Sequence, residues 1–484
     1  MMNRRLRPTT QIQGVLLFLV ALPVMLMAGW TRSSAAEIRP NIVVILVDDM
    51  QRSLLSSMPN VKALAQRGLS FQNARSQVAL CTPSRSTLLT GRYAQNTHVY
   101  TNAHRLFYEA GNPERTIAVW LSAAGYRTAL FGKYLNGYPY PNKTSYVPPG
   151  WSTWAGRIAA ENGDEPYNYR LIEDGIVKSY GAAEADYATD VYFGKALSFI
   201  DAAIAAKAPF FVLVSVHAPH DPATPAPRHL GLFSKAAMPR PPSFNEADVS
   251  DKPQFLQSTA PLDAATLQNA RRNYRDRLRS LRAVDEGLWS VVKRLRSRKV
   301  LDRTYVVFLT DNGLLFGEHR VMRDKGGPYE EANDLSLVIR GPGVPAGGRR
   351  EHLVANVDLA PTILDWAAVT PPPDLDGRSL VPLLRTDPPD PEQWRQSMPL
   401  TLVRNSSAPV WPTFYGVRTR DFTYAHYDTG DRELYDLRVD PYELQNIVNL
   451  ASPDFVARLD EQALELNGCG ARQCRALEDL SIVP

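Results

Sequence analysis

Five apolar runs punctuate the chain: "NIVVILV" (41–47), "RTALFG" (127–132), "PFFVLVSV" (209–216), "TYVVFLT" (304–310) and "LSLVIRG" (335–341). Each is short, β-branched and shows little alternation, the pattern of parallel strands buried on both faces. Between them, apolar positions recur at helical spacing in "MPNVKALAQRG", "TIAVWLSAAGY" and "YATDVYFGKALSFIDAA", and in the long "RRNYRDRLRSLRAVDEGLWSVVKRLRSR". The arginines of the last segment read as the solvated face of an amphipathic helix. Strand and helix alternating in this way predict an α/β domain, with helices on both faces of a mixed, mostly parallel sheet. Residues 134–180 and 221–265 lack periodicity and read as long functional loops, and 370–394 reads as a linker. Beyond it, "FYGVRTRDFTYAHY" and "RELYDL" alternate like antiparallel strands around a "TGD" turn, and a helix "PDFVARLDEQALEL" follows. The expected organisation is a large domain over 37–385 and a smaller α+β unit with an antiparallel sheet over 386–484.

The polar residues that end these runs carry the chemistry. Asp48 and Asp49 follow the first, Lys133 the second, His217 and His220 the third, and Asp311 and Asn312 the fourth. In open α/β sheets ligands bind beyond the carboxyl ends of the strands, so parallel strands would bring these groups to one edge. Taken singly, each has an ordinary reading: a helix cap, a turn, a surface lysine. Four such endings together point to a site. Three carboxylates and an amide oxygen make a hard, oxygen-only set suited to calcium or magnesium and not to zinc. Without a cation, so many carboxylates would force a proton onto one of them.

Composition alters this picture little. The chain has 484 residues, 44% hydrophobic and 21% charged, as expected of a soluble globular protein. The formal charge of +4 matches the four arginines of residues 1–36, so net charge gives no support for a nucleic-acid partner. That segment has a basic start, an apolar run broken by Pro23 and a small-residue "SSAA", which together read as a signal peptide cleaved after Ala36. An exported, secreted or periplasmic protein with no stable membrane span in its mature form follows. In an oxidising compartment Cys469 and Cys474 would pair, leaving Cys81 alone.

Cys81 opens "CTPSRSTLLTG", where Pro83 suits a first helical turn and Arg85 lies one turn on. This stretch resembles the signature of type I sulfatases, in which the cysteine of Cys-x-Pro-x-Arg becomes formylglycine. "RPNIVVILVDDM", "GRYAQNTHV", "FGKYLNGY", "APHDPATPAP", "TDNG", "RDKGGPYEE" and "DLDGRSLVPLL" follow the order of that family. "GKYLNGY" and "APHDPATPAP" are most similar to the N-acetylglucosamine-6-sulfatases and the extracellular heparan sulfatases. The resemblance implies an alkaline-phosphatase-like fold and hydrolysis of sulfate monoesters on a sulfated small molecule or saccharide, such as glucosamine 6-O-sulfate. It further implies calcium, with magnesium as the other ion the ligands admit, and a formylglycine-generating enzyme as maturation partner. By the same resemblance, Asp48, Asp49, Asp311, Asn312 and modified Cys81 would hold the metal. Arg85 would support the aldehyde hydrate, Lys133 and Lys325 would neutralise sulfate oxygens, and His220 would serve as general acid. Tyr134, Asn136 and Tyr138, beside Lys133, are candidate sugar contacts.

Leu135 stands where many of these enzymes have a histidine, which leaves the base for hydrate collapse unassigned; His98 is a candidate stand-in or substrate contact. His217, His319 and His426 read as structural. Three rivals stay open: a phosphonate monoester or phosphodiester hydrolase of the same superfamily, a non-catalytic secreted glycan-binding protein, and a cysteine hydrolase pairing Cys81 with His98 or His220.

Overall fold

The run Asn41–Val47 forms β1, near the centre of a ten-stranded sheet. Strands β2 (Leu69–Arg75), β3 (Arg127–Gly132), β4 (Thr153–Arg157), β5 (Arg170–Glu173), β6 (Ile176–Ser179), β7 (Phe210–Ser215) and β8 (Thr304–Thr310) follow. A short hairpin of β9 (Leu315–Phe316) and β10 (Met322–Asp324) precedes β11 (Leu337–Arg340) and β12 (Gly348–Ala355). The order across the sheet is β12-β2-β11-β8-β1-β7-β3-β4-β5-β6. This computed structural model describes residue 11 and residues 39–141, 144–159 and 166–484, of which Arg39–Pro484 form one compact unit. The expected leader and its cleavage site lie outside the described residues, apart from Gln11. Among the described residues no helix is long and apolar enough to cross a membrane.

The lack of alternation in β1 has a direct cause. Val43, Ile45 and Val47 face one core cluster, which contains Phe193, Leu281 and Val284, while Ile42, Val44 and Leu46 face another, which contains Leu88, Leu121 and Ile363. Helices therefore cover both faces, and every residue of the strand is buried. The parallel run β8-β1-β7-β3 is as expected. Strand β11 is not, since it runs antiparallel to both β2 and β8. Its apolar residues divide between the same two clusters, so burial specifies the strand but not its direction.

Two further expectations are corrected. Segment 370–394 is not a linker, because Leu375, Leu380 and Leu383 are buried in the core and Asp376 accepts the Tyr93 N–H at 2.7 Å. The arginines of the long helix Ala264–Ser297 are not all solvated, since Arg277 is 1% exposed. Asp285 of that helix is buried too, and it accepts the N–H groups of Asn60 and Val61 at 2.9 and 3.0 Å, capping the helix Pro59–Ala65. Part of the first long loop forms β4, β5 and β6.

A second sheet, wholly antiparallel, has the order β13 (Ser397–Leu402), β14 (Phe414–Thr419), β15 (Phe422–Tyr427), β16 (Arg432–Asp436). Pro399 hides β13 from sequence patterns, and it is tolerated because β13 is an edge strand. The helix Pro453–Gly468 packs on this sheet, and a disulfide joins Cys469 to Cys474.

Candidate active site

Strand register decides where the polar ends emerge. Val47 pairs with Thr310, and both Leu46 and Gly132 pair with Ser215, so Asp48, Asp311 and Lys133 leave the sheet at one edge. Gly132 is required at this edge, since a Cβ there would lie 2.0 Å from the Ser215 carbonyl oxygen. After Asp48 the chain turns through Asp49, whose φ is 55°. The Asp49 N–H donates to Asp311 Oδ1 at 3.1 Å, and its carbonyl accepts from the buried Arg277 guanidinium.

Cys81 is the first residue of a ten-residue helix, Cys81–Thr90, that is buried along its whole length. Neighbouring groups pin its first turn. Asn102 Oδ1 accepts the Thr82 N–H at 2.9 Å, Thr82 Oγ1 bonds Asn136 Oδ1 at 3.0 Å, and Ser84 Oγ donates to the Asp311 carbonyl. The Sγ atom then lies 2.9 Å from Lys325 Nζ, 3.3 Å from Asp48 Oδ1 and 3.9 Å from Asp49 Oδ1. Arg85 does not turn back to Cys81. Its guanidinium spans Asp311 Oδ2 at 2.8 Å, Asp48 Oδ2 at 3.1 Å, Ser215 Oγ at 2.7 Å and the Lys133 carbonyl at 2.9 Å. Lys133 Nζ sits 2.5 Å from Asp48 Oδ2, and Lys325 Nζ also bonds Asp49 Oδ1.

The electrostatics follow from burial and these pairs. Burial alone would raise Asp48, but the charges of Lys133 and Arg85 hold it well below the usual carboxylate range. Asp49 is lowered likewise, with Lys325 and His220 outweighing desolvation. Asp311 is raised by burial and by the charge on Asp48, against the pull of Arg85. Burial and Asp48 push the Cys81 thiol up to about 12 despite the two lysines, so the encoded thiol is a poor nucleophile at neutral pH.

Three carboxylates thus face three cations, yet one acceptor is left over. Asn312 Nδ2 donates to Asp49 Oδ1 at 2.6 Å, while its buried Oδ1 has no hydrogen-bond partner among the described residues. A hard divalent cation fits this set, since it would satisfy the amide oxygen and share the carboxylates. Asp48, Asp49, Cys81 and His220 each offer a ligand atom within 4.8 Å of the others.

His220 Nε2 lies 3.4 Å from Asp49 Oδ2, and its Nδ1 lies 2.8 Å from the Asp221 carbonyl oxygen. That carbonyl requires a proton on Nδ1, so Nε2 is the nitrogen open to exchange. His217 packs against it, ring centroids 4.4 Å apart. The other residues named from sequence are not among the groups bonded to Cys81 Sγ. His98 is exposed at the end of the short helix Ala94–Thr97. Tyr134 and Tyr138 are buried in an aromatic cluster with Trp154 and His104, Leu135 is buried, and Asn136 is engaged with Thr82. His426 pairs with Asp460 at 2.7 Å. Sequence reasoning missed Ser215, Ser84, Asn102 and Arg277. Only Arg277 left a signal, for it falls in the apolar stripe of Tyr274, Leu278, Leu281 and Val284.

Comparison with known proteins agrees with this geometry. The profile described as Sulfatase matches residues 40–369, and one described as N-sulphoglucosamine sulphohydrolase, C-terminal, matches 317–467. The N-acetylglucosamine-6-sulfatase of Capra hircus is 31% identical over 490 residues, covering 92% of this chain and 87% of the relative. That of Homo sapiens is 31% identical over 485 residues, covering 91% and 87%. A solved structure of an enzyme in complex with its substrate D-glucosamine-2-N,6-O-disulfate is 26% identical, with a TM-score of 0.76 over 89% of this chain and 97% of that one.

Proposed function

The chain belongs to the sulfatase family and is a sulfuric ester hydrolase; from that premise we propose that it removes the 6-O-sulfate of a glucosamine unit in a sulfated saccharide. Support for the substrate comes from the N-acetylglucosamine-6-sulfatases and from the neighbour bound to a glucosamine disulfate. The observation that carries the chemistry is the ring of Asp48, Asp49, Lys133, Lys325 and His220 around a thiol that its surroundings make unreactive. In this reading residue 81 works as formylglycine. Because Cys81 and Arg85 are buried, the maturing enzyme must reach them before the helix docks.

Asp48, Asp49, Asp311, Asn312 and residue 81 would hold a divalent cation, calcium in the first instance. When bound, it supplies charge that acidifies the aldehyde hydrate and offsets that of the sulfate. One hydroxyl of the hydrate releases its proton to water and attacks sulfur as the bond from sulfur to the sugar oxygen breaks, and that oxygen departs with a proton from His220 Nε2. Lys133 and Lys325, no longer needed to balance the aspartates, turn their charge to the non-bridging oxygens. The second hydroxyl then gives its proton to water, its oxygen closes the carbonyl as the carbon–oxygen bond to the departing sulfate breaks, and water adds to the aldehyde to restore the hydrate. Residues 37–385 form the catalytic domain in this reading and 386–484 its C-terminal subdomain, in a protein exported after loss of residues 1–36.

The test joins mass spectrometry of the peptide containing residue 81 to rates on glucosamine 6-O-sulfate. Activity should scale with the aldehyde fraction, vanish with a chelator and return with calcium. An active protein whose residue 81 is an unmodified thiol, or one faster on a phosphate diester than on the sulfate, overturns the proposal.

A further inference from the structure

A second group of buried donors lies away from Cys81. His319 sits in the turn between β9 and β10, Glu331 in the helical turn Glu330–Asn333, and Glu443 in the loop after β16. A ring nitrogen of His319 and a carboxylate oxygen of each glutamate lie within 4.8 Å of one another. His319 and Glu443 are completely buried. His319 Nδ1 is 2.7 Å from Glu246 Oε2, so with that carboxylate ionised Nδ1 carries the proton and Nε2 presents a lone pair. Nε2 has no hydrogen-bond partner among the described residues. Glu443 repeats the pattern, for its Oε2 takes the Glu330 N–H at 2.8 Å while its buried Oε1 has no partner among those residues. Glu331 stands between them, raised well above the usual carboxylate range by burial and by the charges of Glu318 and Glu443. The nearby cation Lys252 does not serve this cluster. Its Nζ bonds the carbonyl oxygens of Glu443 and Leu444 at 2.7 and 2.8 Å and lies 3.6 Å from Glu246 Oε1.

We propose that His319, Glu331 and Glu443 form a second cation site, for a first-row divalent ion such as zinc. One imidazole and two carboxylates suit such an ion better than calcium. A carboxylate on the far ring nitrogen, here Glu246, is the usual support of a metal-bound histidine. A cavity of about 630 Å³, lined in part by Glu318, Glu331 and Tyr442, provides a route in. The role is structural. The Glu331 carbonyl accepts the Leu314 N–H at 2.8 Å, just past Asp311 and Asn312, so an ion here would tie the metal-facing turn of the catalytic site to the C-terminal loop.

The experiment strips the full-length protein with a chelator, saturates it with calcium, adds zinc, removes the excess, and reads metal content and thermal midpoint. Wild type and Asp311→Asn should each retain one zinc per chain and melt higher with zinc than without. Glu443→Gln and His319→Gln should bind zinc at least about 100-fold more weakly and show no such rise. Should His319→Gln fail to fold, Glu443→Gln still tests the site, because it removes a carboxylate ligand without changing shape. No zinc retained by wild type, or equal zinc in wild type and Glu443→Gln, overturns the proposal.

Discussion

Among the described residues, the clusters of buried charge around Arg395 and around Cys81 behave differently. Around Arg395, every carboxylate oxygen has a donor: Asp358 takes both arms of the guanidinium at 2.6 and 2.7 Å with the N–H groups of Ala355 and Arg378, and Glu478 takes Tyr93 and Arg378 and pairs with Arg395 at 2.9 Å. Around Cys81 the charges also balance, but the Asn312 amide oxygen is left without a donor among the described residues and a lysine is spent on a thiol. The first cluster is closed and holds segments together. The second leaves an acceptor over, and in the proposed function would exchange its lysine pairs for a cation and an anion. Buried charge alone does not mark a catalytic site; here the unsatisfied acceptor beside Cys81 sets the two clusters apart.

The sharpest way to separate the two is at residue 81. If residue 81 supplies the nucleophile as proposed, Cys81→Ser should lower sulfatase turnover by at least about 10⁴-fold while leaving the thermal midpoint nearly unchanged, since a nucleophile acts in the reaction and not in the fold. Lys133→Met should cost about 10²–10³-fold in kcat, as expected for a lost donor to developing charge, with retained secondary structure by circular dichroism. Arg395→Met should invert that outcome. It leaves Asp358 without its cation and Glu478 with Arg378 alone, and should destabilise by about 3–5 kcal/mol in denaturant titration, while the folded fraction keeps its kcat. Equal loss of kcat in Arg395→Met and Lys133→Met would erase the distinction.

The smallest effect concerns a neutral group. Burial lowers the His104 pKa to about 4, so between that value and its unfolded one near 6.5 the unfolded chain binds the extra proton. Stability from this residue is therefore full above pH 6.5 and falls as the pH drops toward 4, by about 3 kcal/mol at most. His104→Phe should flatten that part of the pH–stability curve without altering the pH dependence of turnover.

The residues bear different amounts of this in sequence. Strands β1, β3, β7 and β8 were legible because burial on both faces writes an unbroken apolar run, and the acids and lysine of the site were legible because they terminate those runs. Direction was not, as β11 demonstrates, because an antiparallel strand buried on both faces reads the same way. Asp285 was hidden by the many exposed arginines and acids of its helix, and Arg277 left only its place in the apolar stripe as a signal.

By itself, the sequence determined the residue types, their place at the ends of apolar runs and the cysteine at a helix start, because burial and capping are local preferences that composition records directly. Tertiary structure alone decided that Arg85 spans two aspartates instead of reaching Cys81, that Asn312 keeps an unsatisfied oxygen, and that His319 meets Glu331 and Glu443. Those outcomes depend on the register between strands and on loops far apart in the chain, and a distance set by packing leaves no trace in local order.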